Sequence, residues 1–265
     1  MTDLSESTEW DKELTVAKDI AYGAGEVMRK YFDIDKQQQG KDDGSQVTIA
    51  DTIINNLVIS RLAEAFPDDG VIGEERSTAG YGDGRKWFCD PIDGTWAFIT
   101  GVPTFMFSLA LVVDGSPVVG VAYDSTADKL YSALLGGGAY CNDEKIFVSD
   151  KKLDEGILAV TGSARKMRQE NSYIEKVLDK DIKTVSLNGA VFKGCLVASG
   201  KSVAYVAENL NPYDVVSIHI IVEEAGGKVT DFAGKKLDYK EHFSNAILSN
   251  GASHDGVVEL LRWVL

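Results

Sequence analysis

Apolar residues recur at spacings of three and four between positions 9 and 32 (Leu14, Ala17, Ile20, Ala21, Ala24, Val27, Met28 and Tyr31), which predicts an amphipathic helix. The polar, glycine-bearing stretch DKQQQGKDDGSQ ends it and reads as a loop. A second helix is predicted from about Ile49 to Phe66 on Ile53, Ile54, Leu57, Leu62 and Ala65, with FPDDG closing it. Two short strands follow, GVIG and RKWFCD. The period then changes: LALVVDGSPVVGVAYDS and KLYSALLGGGAYCN are β-branched and apolar runs broken by Asp114-Gly115 and by Gly136-Gly137-Gly138, a series of antiparallel hairpins. Beyond them strands and helices alternate. GILAVTG reads as a strand, Arg165 to Leu178 as a helix, TVSLN as a strand, Val191 to Ser199 as a helix, SVAYVA as a strand, and Pro212 to Ala225 as a helix stopped by Gly226-Gly227. The fold class is α/β (α+β), in layers. No repeat, low-complexity tract or long linker divides residues 1–265, so one domain is expected, with a mixed half over about 1–150 and an alternating half over about 151–265.

Composition narrows the partners. With 27 basic and 41 acidic residues the net charge is −14, which disfavours nucleic acid and anionic membranes. An anionic substrate then needs a local positive centre, and divalent cations held by clustered carboxylates are the usual means. Cys89, Cys141 and Cys195 are odd in number, far apart and without metal-ligand spacing, as expected of reduced thiols. The acidic, polar start MTDLSESTEWDKEL carries no signal-peptide core, and no run reaches about 18 apolar residues, so a cytoplasmic location without membrane contact is expected.

The candidate chemistry lies in WFCDPIDGTWAF. Pro91 cannot donate to a strand ladder and predicts a turn, with Asp90 at the strand end and Asp93 capping the next helix. Gly94 and Thr95 follow at that helix's N-terminus, where free amides attract phosphate. Taken alone, this reads as a strand–turn–helix with an aspartate cap. Two further acidic groups change the weighing: VIGEERS ends a strand on Glu74 and Glu75, and NPYDVVS puts Asp214 in the first turn of a helix. By themselves these read as a solvated loop and an N-cap. Together they would repel one another without a bridging cation, and hard oxygen ligands favour Mg²⁺ or Mn²⁺ over zinc.

GEE, then Asp-Pro-Ile-Asp-Gly-Thr with a Phe three residues on, then an Asp opening a helix that ends in E-A-G-G (Glu224 to Gly227), resemble the inositol monophosphatase family across residues 48–227. The resemblance implies a layered αβαβα sandwich of the inositol monophosphatase/fructose bisphosphatase type, commonly homodimeric and inhibited by Li⁺. It implies a phosphomonoesterase for inositol monophosphate or a similar polyol phosphate. Two or three Mg²⁺ ions would neutralise the phosphate, acidify a water and stabilise the departing alkoxide, without a phosphoenzyme. By the same resemblance Glu74, Asp90, Asp93, Asp214 and the Ile92 carbonyl hold metal, and Asp51 in VTIAD helps hold a further ion. Thr95 and Glu75 orient or activate the attacking water, while Gly94 and Thr95 amides cradle the phosphate.

The pattern departs from the family in places. Tyr213 stands where tryptophan is usual, and Ala207 where many inositol phosphatases carry glutamate; Glu208 lies one place later. LNGAVFKGCLVASGK resembles the substrate-side helix, with Ala190, Lys193 and Glu208 as candidate substrate contacts. Lys193 has a counterpart in the nucleotide phosphatase branch, and Gly101-Val102-Pro103 is similar to histidinol phosphatases, so histidinol phosphate and 3′-phosphoadenosine 5′-phosphate remain alternatives. A haloacid-dehalogenase phosphatase also begins Asp-x-Asp-Gly-Thr, but its acids are two apart and GEE goes unexplained. A catalytically silent regulatory protein is the alternative of another class. His219, between Ile218 and Ile220, reads as a packed histidine, and Cys89 as an inert strand thiol.

Overall fold

The computed structural model describes residues 9–32, 38–40, 46–161 and 173–262. The first periodic stretch folds as α1 (Asp11–Tyr31), burying Ala17, Ala21, Ala24 and Met28, and the second as α2 (Ile49–Ala65). Between them DKQQQGKDDGSQ is not wholly a loop: β1 (Gln38–Gly40) pairs antiparallel with β2 (Gln46–Thr48). Backbone pairing overrides an unpatterned polar sequence there.

A seven-stranded sheet follows, built from β3 (Gly70–Gly73), β4 (Arg85–Asp93), β5 (Met106–Val113), β6 (Ser116–Asp124), β7 (Lys129–Leu134), β8 (Gly138–Cys141) and β9 (Glu144–Lys145) in sequential order. Only β3 and β4 are parallel; the rest are the expected antiparallel neighbours. The helix α3 (Thr95–Thr100) interrupts the chain between β4 and β5.

The alternating half supplies β10 (Ile157–Val160), α4 (Tyr173–Asp179), β11 (Lys183–Val185), α5 (Ala190–Ala198), β12 (Ala204–Glu208), α6 (Val216–Glu224), β13 (Lys228–Thr230), β14 (Asn245–Ser249) and α7 (His254–Leu261). Its five-stranded sheet runs in the order β11-β10-β12-β14-β13. The first part of the helix expected over 165–178 lies outside the described residues. The helix expected over 212–225 is split: Pro212–Asp214 form a 3-10 turn, and Val215, at φ −119°, separates it from α6. As expected, Gly226 at φ 91° ends α6, and the Gly227 amide returns to the Val222 carbonyl at 2.8 Å.

Three apolar clusters define the layers. Strand side chains on one face of the large sheet, among them Trp87, Leu109 and Val121, pack with α1 and α2. Those on the other face, such as Phe88, Ala110 and Ala122, share a cluster with α5, α6 and residues of the small sheet. Leu158, Val206 and Ile247, on the far face of the small sheet, meet α4 and α7. The expected αβαβα sandwich is therefore the architecture observed.

Contact between the large sheet and α6 depends on Gly120. A Cβ there would stand 2.5 Å from Ile220 Cγ2 and 2.8 Å from the Ser217 carbonyl oxygen. Gly120→Ala is expected to cost about 1–3 kcal/mol by overpacking, a fall in Tm of about 2–10 °C by thermal unfolding.

Candidate active site

In a regular strand, residues three apart face opposite sides. Asp90 pairs with Ser108, but Asp93 pairs with Met106, so β4 carries one residue more than β5 across this interval. That bulge reverses the alternation, and both aspartates line one cleft. Pro91, which has no amide proton, sits within it at no cost to the ladder. The strand thus runs through DPID instead of turning at Pro91. A further expectation is corrected: Asp93 does not cap α3, whose N-cap residue is Gly94 at φ 85° with no side-chain cap. It caps α5 instead, its oxygens each accepting at 2.8 Å from the amides of Ala190 and Val191. The cap is long-range, 97 residues away, and invisible to local reading.

The cleft has a volume of about 340 Å³. Glu74, Asp90, Ile92, Asp93, Gly94, Thr95 and Asp214 line it, joined by Ala190, Lys193 and Glu208. Glu74 follows β3, its amide donating to the Cys89 carbonyl at 3.1 Å, which ties it to the strand carrying Asp90. The Asp214 carboxylate accepts from the Asn211 amide at 2.6 Å within the Pro212 turn. Tyr213 packs against the central core cluster and braces that turn. Thr95 Oγ1 donates to the Ile92 carbonyl at 3.2 Å. A Cβ at position 94 would approach Asn188, Gly189 and the Thr104 carbonyl to 3.3 Å, so the left-handed glycine also allows close backbone approach.

Asp51 and Glu75 do not line the cleft itself. Asp51 is fully buried at the start of α2, in a capping box: Oδ2 accepts from the Thr48 amide at 2.7 Å and the Thr48 hydroxyl at 2.6 Å. The pattern Thr-x-x-Asp ahead of an apolar helix is the sequence signal for this box. Burial pushes the Asp51 carboxyl up to about 7, against the lowering pull of Thr48, and the charges of Glu75 and Glu74 add to the rise.

Electrostatics set this site apart from a network of caps. Burial raises Asp90 well above the carboxylate range, and Glu74, Asp93, Asp214 and Asp51 raise it further. Asp214 is likewise raised by burial, then by Asp93 and Glu74, although its bond from Asn211 opposes the shift. Asp93 is raised by burial to about 6, opposed by the α5 amides and by Lys193. Lys193 is only 4% exposed, not the solvated helix lysine its residue type suggests, and its ammonium lies 4.6 Å from the Tyr205 ring centre.

Among the described residues, no three acidic, histidine or cysteine side chains converge closely enough to enclose one ion as they stand, Asp93 being turned toward α5. The donor chemistry nonetheless fits a hard cation. Asp51 Oδ1 and Asp90 Oδ1 are buried without a hydrogen-bond partner, and every candidate ligand is an oxygen among like charges that a cation would relieve.

The β12 strand separates two neighbours that sequence reading could only set side by side. Ala207 is fully buried in the central core, whereas Glu208 faces the cleft. Trp96, Thr161 and Tyr205 also line the cleft, and sequence reading passed over all three. Their signal is weak because two of them come from the separate strands that end beside it. His219 is a packed histidine, as expected, with Nδ1 2.9 Å from the Tyr239 hydroxyl. Burial raises the Cys89 thiol far above its ordinary value, in keeping with an inert side chain.

The inositol monophosphatase family model matches residues 9–264. A Thermotoga maritima fructose-1,6-bisphosphatase/inositol-1-monophosphatase is 34% identical over 83% of this chain and 83% of its own length. A Chlorobaculum parvum histidinol-phosphatase is 32% identical over 84% of this chain and 87% of its own. The solved structure of a Thermotoga maritima IMPase superposes with a TM-score of 0.85 at 30% identity, over 94% of this chain and 96% of that one. The acid-lined cleft thus belongs to a fold shared along nearly the whole chain, and the protein is a member of the inositol monophosphatase family of metal-dependent phosphomonoester hydrolases.

Proposed function

We propose that this protein is a Mg²⁺-dependent phosphatase of a small polyol phosphate, with inositol monophosphate as its best-supported substrate and Mn²⁺ as a substitute ion. The observation that carries the reading is the bulge in β4, which turns Asp90 and Asp93 toward the same cleft as Glu74 and Asp214. Glu74, Asp90, Asp93, Asp214 and the Ile92 carbonyl would hold two ions, and Asp51 would help hold a third. When bound, the ions supply charge neutralisation at the phosphoryl oxygens and acidify water. The amides of Gly94 and Thr95 would cradle the phosphate. The Thr95 hydroxyl and Glu75 would orient the attacking water, Glu75 being near enough to Asp51 to raise its pKa. Ala190, Lys193 and Glu208 would contact the substrate. No side chain forms a covalent intermediate in this reading. We assign the protein to the cytoplasm on the sequence features given above, and take it as a homodimer by family resemblance; among the described residues no helix is long and apolar enough to cross a membrane.

A second substrate, histidinol phosphate, is favoured by Glu208, a carboxylate lining the cleft that suits a cationic leaving group, and by the likeness to a histidinol-phosphatase. Phosphate release with Mg²⁺ from inositol 1-phosphate, histidinol phosphate, 3′-phosphoadenosine 5′-phosphate and fructose 1,6-bisphosphate separates the possibilities. A preference of about a hundredfold in kcat/KM, ~2.7 kcal/mol of differential transition-state binding, names the branch. Release from none of them by a protein that still binds Mg²⁺ would favour the silent regulatory alternative.

A further inference from the structure

Trp96 immediately follows the proposed phosphate cradle, lines the cleft and is 51% exposed. A singly exposed hydrophobic side chain is ordinary, but this one is an indole at the rim of the acid-lined cleft, beside the proposed phosphate cradle, with its apolar face open to a ligand there. Its support is rigid. Ala97 and Phe98, the next residues of α3, are buried. Phe98 packs edge-on against Phe105 with ring centres 4.9 Å apart, and Phe32 lies against both rings at 5.8 and 4.8 Å. The helix therefore has little freedom to turn Trp96 inward. Half-buried Leu187 also lines the cleft and adds apolar surface to it.

A purely phosphate-directed site needs none of this surface. Resting on the phosphatase reading above, we propose that Trp96 is a specificity-determining residue whose indole packs on a ring face of the leaving group. The substrate is accordingly a phosphomonoester of a ring-bearing alcohol, not of an open-chain polyol. The indole supplies contact at low conformational cost, because its helix is already anchored.

The test compares wild type, Trp96→Ala and Trp96→Phe on myo-inositol 1-phosphate, histidinol phosphate and the ringless β-glycerophosphate. Trp96→Ala is expected to raise KM about three- to tenfold for at least one of the ring-bearing substrates, with kcat little changed, and to leave β-glycerophosphate within about twofold. A response to inositol 1-phosphate alone assigns a cyclitol face, and one to histidinol phosphate alone an imidazole face. Trp96→Phe is expected to keep most of the discrimination. Equal effects on all three substrates, or none on either ring-bearing one, would overturn the assignment. Unchanged KM with lost self-association in sedimentation would reassign Trp96 to a contact between copies. If the wild type turns over nothing, the same comparison is read as dissociation constants by calorimetry with Mg²⁺. Ring selectivity there would sink the phosphatase reading and keep this one, and its absence would sink both.

Discussion

Asp93→Asn is expected to lower kcat/KM about a thousandfold, ~4 kcal/mol, while leaving the folded protein intact. Asparagine keeps the volume and one of the two acceptors that Asp93 offers to the Ala190 and Val191 amides, so α5 stays partly capped. What disappears is the charge. In the metal-free protein that charge is a burden, because burial, with Glu74 adding to it, holds the Asp93 carboxyl up at about 6. The variant without metal should therefore melt within a few degrees of wild type, or above it. Turnover on the best substrate of the panel, followed beside thermal melts in chelator, checks both halves. Near-normal kcat/KM would remove Asp93 from the site, and a collapsed melt would make it a structural cap.

The second large effect is on stability. Asp51 has an ordinary carboxylate value of 3.8 when unfolded and about 7 when folded, where it faces Thr48, Glu75 and Glu74. A raised folded value means that the native state holds the proton more tightly than the unfolded chain. The associated stability is then fully present below about pH 4 and lost as pH rises through about 7. The shift corresponds to a loss of the order of a few kcal/mol. In chelator, Asp51→Asn should therefore gain in Tm relative to wild type between pH 5 and 8. The comparison isolates Asp51 from the other acids, and a difference flat with pH would refute the burdened carboxylate. Mg²⁺ acts in the opposite direction: at about a hundred times its dissociation constant it should add about 2.7 kcal/mol to wild type near pH 7.5. No rise in Tm with Mg²⁺ would contradict the assigned ligands.

The candidate site was legible to the extent that its parts were local. GEE, DPIDGT and an acid at a helix start are short strings whose residue types suggest a chemistry, and their order matched one family. Where a partner lay far along the chain, reading failed. Asp93 looked like a cap for the helix beside it because the α5 amides are 97 residues away. Lys193 reads as a candidate substrate contact, but its burial against the Tyr205 ring was not legible, because that ring belongs to β12. Glu224, noticed only as part of E-A-G-G, accepts from the Gly136 and Gly138 amides at 2.7 and 2.8 Å and so holds the β7–β8 turn. The strands β13 and β14 and the helix α7 went unpredicted. The strands are short, and β14 is stabilised by pairing with β12 and β13, not by a pattern of its own.

Periodicity determined α1, α2, the antiparallel run from β5 to β8 and the helix stop at Gly226, because each depends on burial of one face or on a backbone angle set within a few residues. Motif order determined the family. Only the tertiary structure decided that Asp90 and Asp93 face one cleft. Their separation of three would divide them in any regular strand, and the extra residue that reunites them exists only in the pairing of β4 with β5. It likewise decided that Glu208 and not Ala207 meets the cleft, since the side of β12 that a residue occupies is fixed by the sheets and helices packed against it.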